Sequence, residues 1–156
     1  MKVDYINPFI EASQQVFQMV TGIKPSLKKV YLKKSPYASD SVAVLVGLTG
    51  KIRGQVIISL STETAKLIAS IMMGGMPVDS FDDMAKSAIS ELGNMIIGNT
   101  ATILSTRGIS VEITPPSLLM GDNIVVSQKM NTICVPLDLG DSRSIDIDVS
   151  IEGQIT

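Results

Sequence analysis

Ser144-Ile145-Asp146-Ile147-Asp148-Val149-Ser150-Ile151-Glu152 alternates polar and apolar residues without a break, the pattern of a strand with one face against a core. Working back from it, Thr132 to Leu137 is a second apolar run, and Val111 to Thr114 and Ile124 to Val126 are shorter ones. Further upstream, Val42 to Leu48 and the alternating Ile52, Gly54, Val56, Ile58 and Leu60 make a hairpin turned by Thr49-Gly50-Lys51. Helical spacing takes over between these strands. Asn7-Pro8 offers a capping oxygen before a proline at the first helical position, which predicts a helix from Pro8 to Thr21 closed by Gly22. Ser61 precedes a short helix from Glu63 to Met73 that Gly74-Gly75 ends. A longer helix starts between Ser80 and Asp83, where acidic residues suit the positive end of the helix dipole, and runs to Arg107-Gly108. At about 1.5 Å per residue its length is on the order of 37 Å. Strands joined by short turns, with helices bunched together, predict an α+β class: an antiparallel β-sheet with helices packed on one face and a long central helix. No linker or low-complexity tract divides the chain, so 1-156 is expected to be a single domain.

Composition removes whole classes of chemistry. The 156 residues are 45% hydrophobic and 18% charged, enough for a full core. There is no histidine and one cysteine, Cys134. An internal disulfide, a histidine general base, and Ser/His or Cys/His nucleophilic pairs are therefore out, and no metal site is expected on this chain. Catalysis would have to use carboxylates, amides, hydroxyls or lysines. No long apolar run or signal-peptide pattern is present, so the expected location is cytoplasmic with no membrane contact.

The long helix holds the unusual residues. With Glu91 at zero and about 100° per step, Ala85, Ala88, Ile89, Leu92, Ile96 and Ile103 fall in one broad sector that must face the sheet. Ser87, Asn94 and Gly98 lie within about 60° of Glu91 on the opposite side. A merely solvated face would carry Lys and Glu pairs; glycine there costs up to about 1 kcal/mol of helix stability. The spacing alone is equally compatible with a poorly optimised surface helix.

Ser87-Ala88-Ile89-Ser90-Glu91-Leu92-Gly93-Asn94, followed by Thr114-Pro115-Pro116, resembles the active-site signature of the CheC, CheX and FliY phosphatase family. The opening helix, the glycine turn of the first hairpin and Met72-Met73-Gly74-Gly75 extend the resemblance over nearly the whole chain, closest to the CheX type. It implies hydrolysis of the aspartyl phosphate on a CheY-like receiver domain. Asn94 would then orient the attacking water and Glu91 would pair with the receiver's lysine, while Ser87 and Gly98 contribute to partner binding by being small. It further implies that Mg²⁺ sits on the receiver, that this chain binds no cofactor, and that the protein is a homodimer. Strands such as Thr132 to Leu137 and Ile145 to Ile151 are expected to offer an edge for that pairing. Glu11-Ala12-Ser13-Gln14 faintly echoes the motif but has glutamine where the family has asparagine, so one site per chain is expected.

Other features have simpler explanations. Lys24, Lys28, Lys29, Lys33 and Lys34 form a basic concentration, yet the net charge is −2 and aromatics are 4% of the chain, which argues against a nucleic-acid partner and for edge-strand protection. Alternation assigns Asp146 and Asp148 to a solvated face, Cys134 to the core, and Asn99 to a structural hydrogen bond. The competing functional readings are a non-catalytic receiver-binding or flagellar-switch module, which would not need both Glu91 and Asn94, and a structural homodimeric scaffold, which would leave the stripe unexplained.

Overall fold

The computed structural model describes residues 3–153. Helix α1 (Val3–Thr21) leads into short strands β1 (Ser26–Leu27), β2 (Tyr31–Lys33) and β3 (Tyr37–Ala38). The hairpin β4 (Val42–Gly50) and β5 (Ile52–Leu60) follows, then helices α2 (Thr62–Met72) and α3 (Asp83–Thr106). Strands β6 (Val111–Ile113), β7 (Ser117–Met120), β8 (Val125–Val126), β9 (Thr132–Gly140) and β10 (Arg143–Gly153) complete the described chain.

Helix α1 departs from expectation at its start. It begins at Val3, so Asn7 is an interior residue rather than a cap, and Pro8 lies inside the helix. Proline there forfeits one backbone bond near a helix end, whereas continuing the helix upstream buries Tyr5 and Ile6, and that apolar burial outweighs the lost bond.

Four long strands form the middle of an antiparallel sheet in the order β9-β10-β5-β4. Strand β9 is flanked on its far side by β1 and β2, and β4 by β6 and β7. The edge expected within 132–137 or 145–151 is therefore not free. Strand β10 is central and β9 already has partners, so the outer edges belong to β1 and β2 on one side and to β6 and β7 on the other. Register aligns Val44, Ile58, Ile147 and Val135 across the four strands. This row lies on the face that packs with Phe9, Val16, Phe17, Ile89, Leu92 and Ile96 in one hydrophobic cluster. The expected arrangement of helices on one face holds.

The middle of the reverse face is covered, and the expectation of a solvated face fails there for Asp148, whereas Asp146 keeps a side chain 34% exposed. Asp148 is 1% exposed, and Ser59, Thr132, Cys134 and Ser150 on the same face are also buried. Lys33 from β2 turns inward over them: its Nζ lies 3.0 Å from Asp148 Oδ2 and 3.5 Å from Asp146 Oδ2, and it sits 4.9 Å from the Tyr37 ring centroid on β3. Thr132 and Ser150 share a hydroxyl–hydroxyl hydrogen bond of 2.7 Å beneath. A strand's alternation shows that its two faces differ, but not what later covers the polar one. One of the lysines read as edge protection is thus a buried counter-ion, while Lys24, Lys28, Lys29 and Lys34 remain exposed.

Burial lifts the Asp148 carboxyl above the ordinary carboxylate range, against the pull of Lys33. Burial alone would lower the Lys33 ammonium, and Asp148 outweighs it, raising Lys33 above the ordinary lysine value. Removing the lysine strands a buried charge, so Lys33→Met should cost about 3 kcal/mol at neutral pH. Burial raises the folded-state pKa of Asp148 and Lys33 pulls it back down, so without Lys33 it rises further, the variant gains more from protonation than the wild type does, and the deficit should shrink as pH falls. Urea unfolding of Lys33→Met and wild type at about pH 7 and about pH 5 reads this directly; an equal gap at both would contradict it.

Candidate functional site

Helix α3 has defined ends. Asp82 caps it, its Oδ1 accepting from the Ala85 N–H at 3.0 Å, and Gly108 closes it with φ of 79°. Ala85, Ile89, Leu92, Ile96, Ile97 and Leu104 are buried along its inner side. Gly93 sits where helix meets sheet: a Cβ there would lie 2.7 Å from Val44 Cγ1 and 3.3 Å from Val44 Cβ. Only glycine allows α3 to approach β4 this closely.

With the inner side fixed, the outer stripe is fixed too. Ser87 and Glu91 are exposed, and Asn94 and Gly98 are half-buried. All four expected residues share one face, with Glu91 and Asn94 one helical step apart. Among the described residues, neither the Glu91 nor the Asn94 side chain makes a hydrogen bond or ion pair. The acceptor and the carboxamide both face outward unengaged. The described residues do not demand Gly98, since among them a Cβ there would meet only Ile113 Cδ1, at 4.0 Å. The Thr114-Pro115-Pro116 segment is pinned to the middle of β4: the Gly47 N–H donates to Thr114 Oγ1 at 2.8 Å, and the Thr114 N–H to the Gly47 carbonyl at 3.0 Å.

The echo on α1 is engaged. Glu11 pairs with Arg107 at 3.3 Å, and Gln14 donates to the Pro25 carbonyl at 3.3 Å. Asn99 is half-buried and makes no side-chain hydrogen bond among the described residues, so its expected structural bond is not there. Burial pushes the Cys134 thiol up, which keeps it protonated and unreactive. Among the described residues no group of three or more His, Cys, Asp and Glu could hold a metal ion. The site can therefore accept from a cation through Glu91 and both donate and accept through Asn94, but it has no activated nucleophile of its own.

Sequence reasoning overlooked Met84. It is 62% exposed, and with Met73, Asp83, Ser87, Ala88 and Glu91 it lines one open depression. Its place seven residues before Glu91 puts it about 20° from Glu91 on the helical wheel, a signal lost when the stripe is searched only for small and polar residues.

A model of the family described as chemotaxis phosphatase CheX matches residues 42–138. The chain is 32% identical to the CheY-P phosphatase CheX of Thermotoga maritima, over 97% of this chain and 98% of that one. Among solved structures, CheX in the CheX–CheY–BeF3–Mg complex from Borrelia burgdorferi is 33% identical, with a TM-score of 0.84 over 97% of this chain and 99% of that one. CheX from Desulfovibrio desulfuricans is 25% identical, with a TM-score of 0.86 over 96% of this chain and 100% of that one.

The two helix glycines should respond oppositely to a methyl group. Gly93→Ala is expected to destabilise by about 1–3 kcal/mol, because the Val44 branch cannot move aside without disturbing the core. Gly98→Ala should be neutral or stabilising by up to about 1 kcal/mol, since alanine is the better helix former and the space is open. Denaturant midpoints of the two variants measure the contrast, and equal shifts would contradict it.

Proposed function

The chain belongs to the chemotaxis phosphatase CheX family, and on that footing we propose that it dephosphorylates the phospho-aspartate of a CheY-type receiver domain with Asn94 and Glu91 as its catalytic residues. The observation that carries this is the pair itself: one carboxylate and one carboxamide, a helical step apart, outward-facing and without partners among the described residues. In a loose phosphoryl-transfer transition state the attacking water need not be deprotonated early, and aligning it with the breaking P–O bond is the main service required. The Asn94 carboxamide does this without adding negative charge beside the phosphoryl oxygens: its oxygen accepts from the water while its NH₂ remains a donor. Water oxygen bonds to phosphorus, the aspartyl carboxylate leaves, and inorganic phosphate is released. Glu91 accepts a charge-assisted hydrogen bond from the receiver's lysine and fixes the register of the two proteins. Ser87 and Gly98 leave room for the receiver's surface to come within reach. Mg²⁺ is the receiver's own in this reading, held in its acidic pocket.

No described helix is long and apolar enough to cross a membrane, and we assign the activity to the cytoplasm, the compartment expected for the phosphorylated receiver. We also propose a homodimer with one site per subunit, joined through one of the sheet's outer edges. Leu119 and Met120 on β7, and Leu27 and Leu32 on β1 and β2, are exposed apolar residues on those edges.

Asn94→Ala should lower phosphate release roughly 100-fold, equivalent to about 2.7 kcal/mol of barrier, with the fold and receiver binding retained. A rate within a few-fold of wild type would overturn the role of Asn94. Glu91→Ala should weaken receiver binding and Glu91→Lys should weaken it further through repulsion of the receiver's lysine; equal binding in both would remove Glu91 from that role. Light scattering at micromolar concentration should report twice the chain mass, and a monomeric mass would refute the dimer.

A further inference from the structure

Exposed apolar side chains adjoin the Glu91 stripe at the junction between α2 and α3. Met84 is 62% exposed, and Met76, in the loop joining these helices, is 56% exposed. The loop is built rather than slack: the Ser70 hydroxyl donates to the Met76 carbonyl at 2.7 Å, and the Gly75 N–H to the Ser70 carbonyl at 2.8 Å. Met73 and Met84 line the same depression as Ser87 and Glu91. Met84 extends the Glu91 stripe by two helical turns, about 10 Å along the axis.

We propose that Met84 and Met73 form an apolar anchor that receives the receiver domain's surface beside its phosphorylation pocket, and that this anchor sets affinity while Asn94 sets rate. The inference rests on the phosphatase reading of Glu91 and Asn94. The occupant follows from continuity: any protein whose lysine reaches Glu91 must lie over the depression that Glu91 and Met84 share. Nothing in the chain's own fold requires an apolar side chain at an exposed position of the helix's first turn, and leaving one in water forgoes favourable burial. Thioether side chains are flexible and polarizable, so they repack against surfaces that differ in detail. That suits a site whose polar contacts are common to phosphorylated receivers and whose discrimination among them must come from the surrounding surface. Exposed Asp83 borders the depression, its carboxylate 3.9 Å from the Lys86 ammonium, and adds an acidic rim around the apolar centre.

The test uses the full chain with a CheY-type receiver activated by beryllofluoride and Mg²⁺ for binding, and with the phosphorylated receiver for turnover. Met84→Glu should raise Kd and KM about tenfold or more, with kcat within about twofold of wild type. Met84→Ala and Met73→Ala should each raise them by a smaller factor, and the double variant by more than either alone. Met84 is exposed, so circular dichroism should show the fold unchanged; if Met84→Glu unfolds, the two alanine variants decide. Wild-type Kd and KM in the folded variants would overturn the anchor. Asn94→Ala is run alongside: full activity in that variant removes the phosphatase reading of Asn94, whereas loss of its kcat beside unchanged binding in the methionine variants removes only the anchor.

Discussion

The contact between Gly93 and Val44 is the constraint on which the rest of the molecule's outward design depends. Because position 93 has no side chain, α3 lies close against β4, and a Cβ there would come within 2.7 Å of Val44 Cγ1. That close approach fixes the helix's rotation about its axis as well as its height above the sheet. Ile89, Leu92 and Ile96 are driven into the core, and Ser87, Glu91, Asn94 and Gly98 necessarily point away from it. A helix held this way carries functional groups on a rigid element rather than a loop, which suits a site that must present two side chains in fixed relation to a partner.

The sheet separates this surface from a second, self-contained layer. One face meets the helices through aliphatic side chains; the other carries Asp148, Thr132 and Ser150, all buried, beneath Lys33 and Tyr37. From the edge strand β2, Lys33 reaches over that face to Asp148 while its ammonium meets the Tyr37 ring on β3, so the lysine-rich segment is tied to the sheet at Lys33 while its remaining lysines face solvent. A buried pair of this kind gives weak net stabilisation, yet losing one partner is costly.

The features legible in sequence were those set by local physics. Asp82 and Gly108 mark the ends of α3 through capping and left-handed backbone preference, and the alternation from Ser144 to Glu152 announces β10. The Glu91 stripe was legible because helical periodicity assigns both faces at once. What failed depended on distant partners. Asn7-Pro8 has a good local start signal, but burial of Tyr5 and Ile6 extends the helix past it. The polar face of β10 looked solvated because the residues that cover it, Lys33 and Tyr37, lie more than a hundred positions upstream. Strands β1, β2 and β7 are two to four residues long, too short for any periodicity to register; β1 and β2 cover the outer side of β9, and β7 lies along β4. Met84 falls on the same stripe of the wheel, but an exposed methionine carries no chemistry of its own to mark it in sequence.

The chemistry assigned to this surface is sparse by design: a water aligned by an amide, and a carboxylate held against a partner's lysine, with the remaining catalytic groups brought by the substrate protein. Such an arrangement would leave the isolated chain inert and make the activity a property of the complex. The most direct measurement is therefore a structure of this chain bound to a CheY-type receiver carrying beryllofluoride and Mg²⁺. The Asn94 carboxamide is expected within about 3 Å of a water in line with the beryllium–aspartate bond, and the Glu91 carboxylate within about 3 Å of the receiver's lysine ammonium. A complex in which α3 faces away from the beryllofluoride, or in which another side chain holds that water, would contradict the assignment.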